Sequence, residues 1–407
     1  MSQTLYKKTA SLTDEVFQNP PAEYRGAPFW AWNGDLRKEY LAEQIDVFEK
    51  MGLGGAHLHV RTGLSLPYLG EEHMDRVRFC TDKFKEKHML SYLYDEDRWP
   101  SGAAGGIVTK TVKYRAKGLL LTVTPREEDE FTKLLACYDL TLDADGFIKS
   151  APRVEKDALV KEGARRWYAY RFIDRGPDSW FNGQTYIDTL DNEAMREFIR
   201  VTYEAYEKKV GDEFGKTVPS IFTDEPQFKF KTLAAFSTDT RDLVLPWTET
   251  LPERYKEAYG EDILDYLPEM FWELPDGKVS PHRYRLHDLI TELFACAFGD
   301  QCGKWCDDHG IMLTGHLLLE ETLQQQTSAI GETMRSYRGF GLPGIDILCD
   351  QREYSTAKQC QSAVHQYGRC GMTSELYGVT NWDYDFRGHK SQGDWQAALG
   401  VTTRVHH

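Results

Sequence analysis

Pro219–Phe228, PSIFTDEPQF, decides how the rest of the chain is read, because a short apolar run ends there in two adjacent carboxylates and a proline. Ile221 and Phe222 have the pattern of the buried end of a strand, and Asp224 and Glu225 stand where that strand would leave the core. Pro226 has no N–H to donate, so it stops the ladder. An acid pair in that place is either a solvated loop or a chemical group, and the flanking stretches decide between the two.

Upstream, Ala27–Asn33 (APFWAWN), Ala56–Val60 (AHLHV) and Met89–Glu96 (MLSYLYDE) read as strands. Between them an amphipathic helix is predicted over 37–51, with Leu41, Ile45 and Phe48 on one face, and another over about 71–88. Three strand–helix units in about 100 residues is the βαβ rhythm of a parallel sheet. The rhythm breaks between about 107 and 185, where Leu119–Val123, Lys133–Tyr138 and Trp167–Ile173 predict an inserted, mainly antiparallel subdomain. Its position before the helix at about 191–210 makes it a lid or a wall of a cleft. Downstream, a second excursion over about 228–280 reads as irregular with short helices. A long helix from Pro281 to about His309 follows, then strands at Ile311–Leu318, Gly344–Leu348, Met372–Leu376 and Val401–Val405. Eight strand candidates alternating with helices predict an α/β fold: a (β/α)8 TIM barrel over 27–407 with an inserted β-rich subdomain, behind a polar leader of 1–26. No helix follows the last strand, so the barrel is expected to be truncated at strand eight without closing.

Composition narrows the partners. A net charge of −15 over 407 residues repels phosphate backbones and anionic lipid, which argues against nucleic acid and membrane surfaces. A neutral polar ligand, an oligosaccharide or glycoside, suits the chain better, and the 13% aromatic content supplies planes on which a sugar face can stack. No GxGxxG follows a strand to open a helix and no GxxxxGK[ST] occurs, so a nucleotide site has little support. The eight cysteines include no CxxC pair, and Cys302 and Cys306, four apart, read as helix core packing. The N-terminus has no apolar core of a secretory signal, and no run of about 18 apolar residues occurs, so a cytoplasmic protein is expected.

In a (β/α)8 barrel the strands' C-terminal ends converge on one mouth. Asn33, His59, Arg61, Asp95, Glu96, Asp224, Glu225, His316, Asp346, Glu375 and His406 are placed there, with Trp30, Trp99, Tyr377 and Trp382 as aromatic neighbours and Glu320 just past the fifth strand. His57 and His59 are read as offering only one ring to the pore, and His59 is preferred because it shares parity with Arg61. Carboxylates dominate, and no Ser–His–Asp or Cys–His pairing stands out. Cleavage of a glycosidic bond needs one protonated acid for the leaving oxygen and one ionised carboxylate as nucleophile or base. Glu225 and Glu375 are the pair, set nearly across the pore on strands four and seven, and the apolar neighbours Phe222 and Phe228 are expected to raise the pKa of Glu225. Metal ligands are not identified, and no cofactor is required by these residues.

The motifs PFWAWNGDL, HLHVRTGLSLPYLGEE, YLYDEDRWPSGAAGG, IFTDEP, LTGHLLLEE, LPGIDIL and SELYGVTNWDYDF occur in an order that resembles the catalytic barrel of glycoside hydrolase family 106, the α-L-rhamnosidases and their relatives. The resemblance implies an inverting hydrolase with two catalytic glutamates, often assisted by calcium, in a chain that carries β-sandwich domains after the barrel. Carried over by motif, the TDEP glutamate is Glu225 and the SEL glutamate is Glu375, with Glu320 of HLLLEE as the substitute. A catalytically silent carbohydrate-binding barrel is the alternative from another class. An amidohydrolase-type metal site lacks the accompanying Lys and Asp ligands.

Overall fold

Short apolar runs, each closed by a polar residue or a turn, form eight parallel strands of one sheet: β1 (Phe29–Trp32), β2 (Gly55–Val60), β3 (Leu90–Tyr94), β9 (Ser220–Asp224), β11 (Met312–His316), β12 (Leu342–Ile347), β13 (Met372–Leu376) and β14 (Val401–His406). Residues 12–407 are described by this computed structural model. The order β1-β2-β3-β9-β11-β12-β13-β14 follows the chain, with helices between, and is that of a (β/α)8 barrel. The leader of 1–26 lies partly outside the described residues; within 12–26 a short helix, Asp14–Gln18, is capped by the Thr13 side chain.

Side-chain alternation sorts the core into two layers. On the outer face Trp30, Trp32, Leu41, Ile45, Met74, Val77 and Phe84 pack between strands and helices. Inside the ring, Tyr94, Phe222 and Val405 form a separate cluster against Phe29. Below it the His57 ring stacks on Tyr92 at 4.6 Å between centroids. The barrel is therefore plugged beneath its mouth. As expected, no ladder joins β14 to β1 among the described residues, but the ring is nearly closed: Ala27 N donates to the Arg404 carbonyl at 3.1 Å, so β14 comes alongside the segment leading into β1. The long helix is capped at Ser280, whose hydroxyl accepts from His282 N and Arg283 N. It runs Pro281–Phe294, passes through a π-helical stretch at Ala295–Asp300 and continues over Gln301–Asp308. Among the described residues no helix is long and apolar enough to cross a membrane.

The excursion after β3 carries β4 (Lys117–Thr122), β5 (Thr132–Leu142), β6 (Ile148–Ser150), β7 (Arg153–Val154) and β8 (Arg165–Ile173), paired antiparallel. The second excursion is not wholly irregular. It supplies β10 (Leu243–Trp247), which joins this sheet antiparallel to β4 with Leu243 opposite Leu121 and Trp247 opposite Lys117. Pro246 hides the strand in the sequence, yet β10 is at the sheet edge, where a missing N–H costs no ladder bond. A buried ion pair, Lys117 Nζ to Asp188 Oδ2 at 3.0 Å, fixes the root of the insertion, and Thr248 Oγ1 donates to the same oxygen at 2.8 Å.

Candidate active site

Strand parity and register assemble the mouth. Phe222 and Asp224 share the inner face of β9, two residues apart, and His316 on β11 stands opposite Asp224 in the parallel register. One pair of strands further on, Asp346 of β12 stands opposite Glu375 of β13. The four side chains therefore lie on one tier. His316 Nε2 is 3.2 Å from Asp224 Oδ1, 3.9 Å from Asp346 Oδ2 and 3.8 Å from Glu375 Oε2.

Glu225 joins them by breaking alternation. Its φ is +48°, so the chain turns at the strand end and a second consecutive carboxylate reaches the mouth instead of the helix layer. There its Oε2 accepts the indole N–H of Trp99, and its backbone N–H donates to the His316 carbonyl at 3.2 Å. Glu225, His316 and Asp346 place ligand atoms within 4.8 Å of one another, as do Asp224, His316 and Glu375.

Burial and crowding divide the charges. Burial pushes Glu225 up to about 8, against the pull of His316 and Trp99 and with the repulsion of Asp224 and Asp346. Burial likewise lifts Glu375 well above the usual carboxylate range, reinforced by Asp224 and Asp346. Asp346 is raised by burial to about 6. Burial also acts upward on Asp224, but His316 and the Tyr94 hydroxyl, 2.6 Å away, hold it below its ordinary value. For His316 burial favours the neutral ring and is outweighed by Asp224, Asp346 and Glu375, so the imidazolium is favoured. The resting mouth is an Asp224–His316 ion pair flanked by Glu225, which holds its proton up to about 8, and by Glu375, raised in the same direction.

The other residues expected at the mouth divide into those that line it and those that do not. His59 faces the pore beside Tyr94 and Phe29, with ring centroids 4.3 and 4.1 Å away. His57 faces it too, which corrects the one-ring reading: residues two apart on a strand share a face. Arg61 is half-buried near His59 and His407, and Asn33 is exposed just past β1. Trp30 is on the outer face of β1, its indole N–H bonded to Gln44 Oε1 at 2.7 Å, so it is a core residue and cannot meet a ligand at the mouth.

Asp95 and Glu96 are also corrected, to loop supports. Asp95 accepts from the Ser101 hydroxyl at 2.5 Å and from Tyr203 at 2.9 Å. The carboxylate of Glu96 takes the backbone N–H groups of Asp97, Gly102, Ala104 and Gly105. Both are fully buried, and burial lifts them to about 8 and about 7. Glu320 is buried under β12, accepting from Tyr337 at 2.6 Å and from Asp346 N at 3.0 Å, which leaves it a strut rather than a ligand contact. Tyr377 points at the helix Phe386–Ala398, its hydroxyl donating to the His389 carbonyl at 3.1 Å, and Trp382 stands fully in solvent without touching the cluster.

Three contributors escaped the sequence reading. His407, not His406, faces the pore: its ring is 5.8 Å from Phe29 and its Nε2 lies 3.7 Å from Glu375 Oε1. His406 packs outward against Tyr377. Counting by two from the inward Val405 finds it. Tyr94 could be reached by the same count on β3. Trp180, from the end of the insertion, sits against Trp99 with centroids 4.9 Å apart, and no local pattern marks it.

The calcium implied by the family resemblance can be tested against this donor set. Calcium takes six to eight oxygens, and the cluster instead centres on an imidazole nitrogen that favours its own positive charge. The residues around His316 therefore do not fit a calcium ion.

A (β/α)8 barrel with a carboxylate-rich mouth is the class that fold and site define. No protein-family model matches the sequence, and no curated protein matches it. Among solved structures, the rhamnosidase from Novosphingobium sp. PP1Y matches over 97% of this chain with a TM-score of 0.66 at 12% identity. The chain spans 56% of that protein's length. An endo-β-1,4-mannanase from Thermotoga petrophila gives a TM-score of 0.42 at 8% identity, covering 94% of this chain and 68% of its own. The chitobiase of Flavobacterium johnsoniae gives 0.39 at 10% identity, covering 94% and 44%. The first likeness shows the shared barrel fold.

Proposed function

We propose that the chain is a glycoside hydrolase acting on terminal α-L-rhamnoside-like sugars of oligosaccharides or glycosides, with inversion, through Glu225 as proton donor and Glu375 as base. The supporting observation is the state of Glu225: a half-buried carboxyl at the mouth, raised to about 8, with one oxygen on Trp99 and the other free for a leaving group. At neutral pH it carries the proton that the departing oxygen must receive. Glu375 Oε2 has no hydrogen-bond partner among the described residues and is raised by burial and its acidic neighbours, so once deprotonated it is a strong base toward water. Asp224, paired with His316 and Tyr94, orients that histidine and holds negative charge beneath a developing oxocarbenium ion. That the Novosphingobium protein sharing this fold is a rhamnosidase agrees with the sugar class that the motifs imply.

A second assignment of the base has its own support. Asp346 reaches about 6, so at neutral pH it is mostly ionised, and it shares a cluster with Glu225. Turnover of methyl α-L-rhamnoside, whose leaving group needs the proton, separates the cases. Glu225→Gln and Glu375→Gln are each expected to lower kcat about 10²–10⁴-fold, with Asp346→Asn affected less. A larger loss in Asp346→Asn than in Glu375→Gln moves the base to Asp346. Sugar binding without turnover, unchanged in Glu225→Gln, makes the barrel a silent binder.

A further inference from the structure

We propose that the insertion builds a leaving-group subsite beside Glu225, and that this subsite takes a flat apolar ring system, an aromatic aglycone, in preference to a second sugar. The inference rests on Glu225 being the proton donor. A cavity of about 280 Å³ opens between the loop after β8 and the segment after Glu225, lined by Trp180, Phe181, Gln227, Phe228, Lys229 and Phe230. Trp180 is its link to the chemistry. One side of the indole meets Trp99, whose N–H is on Glu225, and another meets Phe230 with centroids 6.0 Å apart at 68°.

The polar groups of the cavity are already engaged with one another. Gln227 Oε1 accepts from Trp180 Nε1 at 3.0 Å, and Asp178 Oδ1 accepts from Trp180 N at 2.9 Å. Lys229 Nζ donates to Asp174 at 2.7 Å, and Tyr186 gives its hydroxyl proton to the Ser101 carbonyl at 2.5 Å. A sugar unit would find only the spare positions of these paired groups and would lay its other hydroxyls against the apolar rings, at a cost comparable to the hydrogen bonds lost from water. A planar apolar ring meets no such cost, and it gains contact with the faces of Trp180, Phe228 and Phe230. Trp180 and Phe230 are partly exposed at the cavity, and Gln227, two residues beyond Glu225, lines it.

The test uses 2-naphthol as a free aglycone and 2-naphthyl and methyl α-L-rhamnosides as substrates of the full chain. Wild type is expected to bind 2-naphthol, and Trp180→Ala and Phe230→Ala to weaken that binding at least tenfold, with Trp180→Phe recovering most of it. Phe230→Ala is expected to raise KM for the naphthyl glycoside about tenfold and to leave kcat/KM for the methyl glycoside unchanged. Absence of naphthol binding to wild type, or equal binding by wild type and alanine variants, overturns the subsite. Turnover of both glycosides with equal effects of Phe230→Ala overturns it while leaving the hydrolase intact. Naphthol binding that depends on Trp180, without turnover of either glycoside by wild type, upholds the cavity and overturns the hydrolase.

Discussion

Glu225 carries two costs that a structural residue would shed: a left-handed backbone, worth about 1–2 kcal/mol for a residue with a Cβ, and a carboxyl stripped of much of its water. Strain of this kind persists where the surroundings dictate it, and here Pro226 and the bond from Glu225 N to His316 O do so. Because Glu225 must be protonated to donate, and its raised value keeps the proton up to about 8, kcat/KM is expected to fall as pH rises through about 8. Glu225→Gln cannot titrate, so a pH–rate profile of that variant should lack this alkaline limb, and its persistence would assign the limb to another group. The pair Asp224–Glu225 was legible in the sequence because an apolar run, two acids and a proline occur within ten residues. The turn that brings both acids inward was not, since alternation alone sends them to opposite faces. His57 and His407 were within reach of that same rule, applied by twos.

At the level of elements, the β9–β11 seam sets the distance between Asp224 and His316, and it depends on Gly315. A Cβ there would lie 1.8 Å from the Thr223 carbonyl oxygen, and φ is +119°. Gly315→Ala is therefore expected to destabilise the protein by about 2–3 kcal/mol and to lower kcat with it, read by denaturant melts and turnover together. A variant of unchanged stability would mean the seam can yield. Strand ends could be read from sequence because apolar runs stop there, which is why eight strands and their order emerged. The roles of Asp95, Glu96 and Glu320 could not. Their partners are loop amides and hydroxyls brought together only by the fold, and a buried acid satisfied by backbone N–H groups looks in sequence like any acid at a strand end.

Over the whole molecule, a plugged barrel supplies the carboxylate tier, and the turn that follows β8 carries Trp180 against Trp99. The insertion was visible as a break in the βαβ rhythm. Its completion by β10 was hidden by Pro246. Both excursions meet at the buried Lys117–Asp188–Thr248 group, so Lys117→Met should cost about 3–5 kcal/mol by stranding the Asp188 charge. Chemical denaturation checks it, and a loss below about 1 kcal/mol would mean that Asp188 is solvated or protonated when alone. The central claim, that Glu225 protonates a departing sugar oxygen, is tested most directly by the dependence of rate on the leaving group. Poor leaving groups need the proton and good ones do not, so Glu225→Gln should lower kcat/KM for methyl α-L-rhamnoside by about 10²–10⁴-fold. The same variant should barely alter the value for 2,4-dinitrophenyl α-L-rhamnoside. Equal losses on the two substrates, or none on either, would contradict the account.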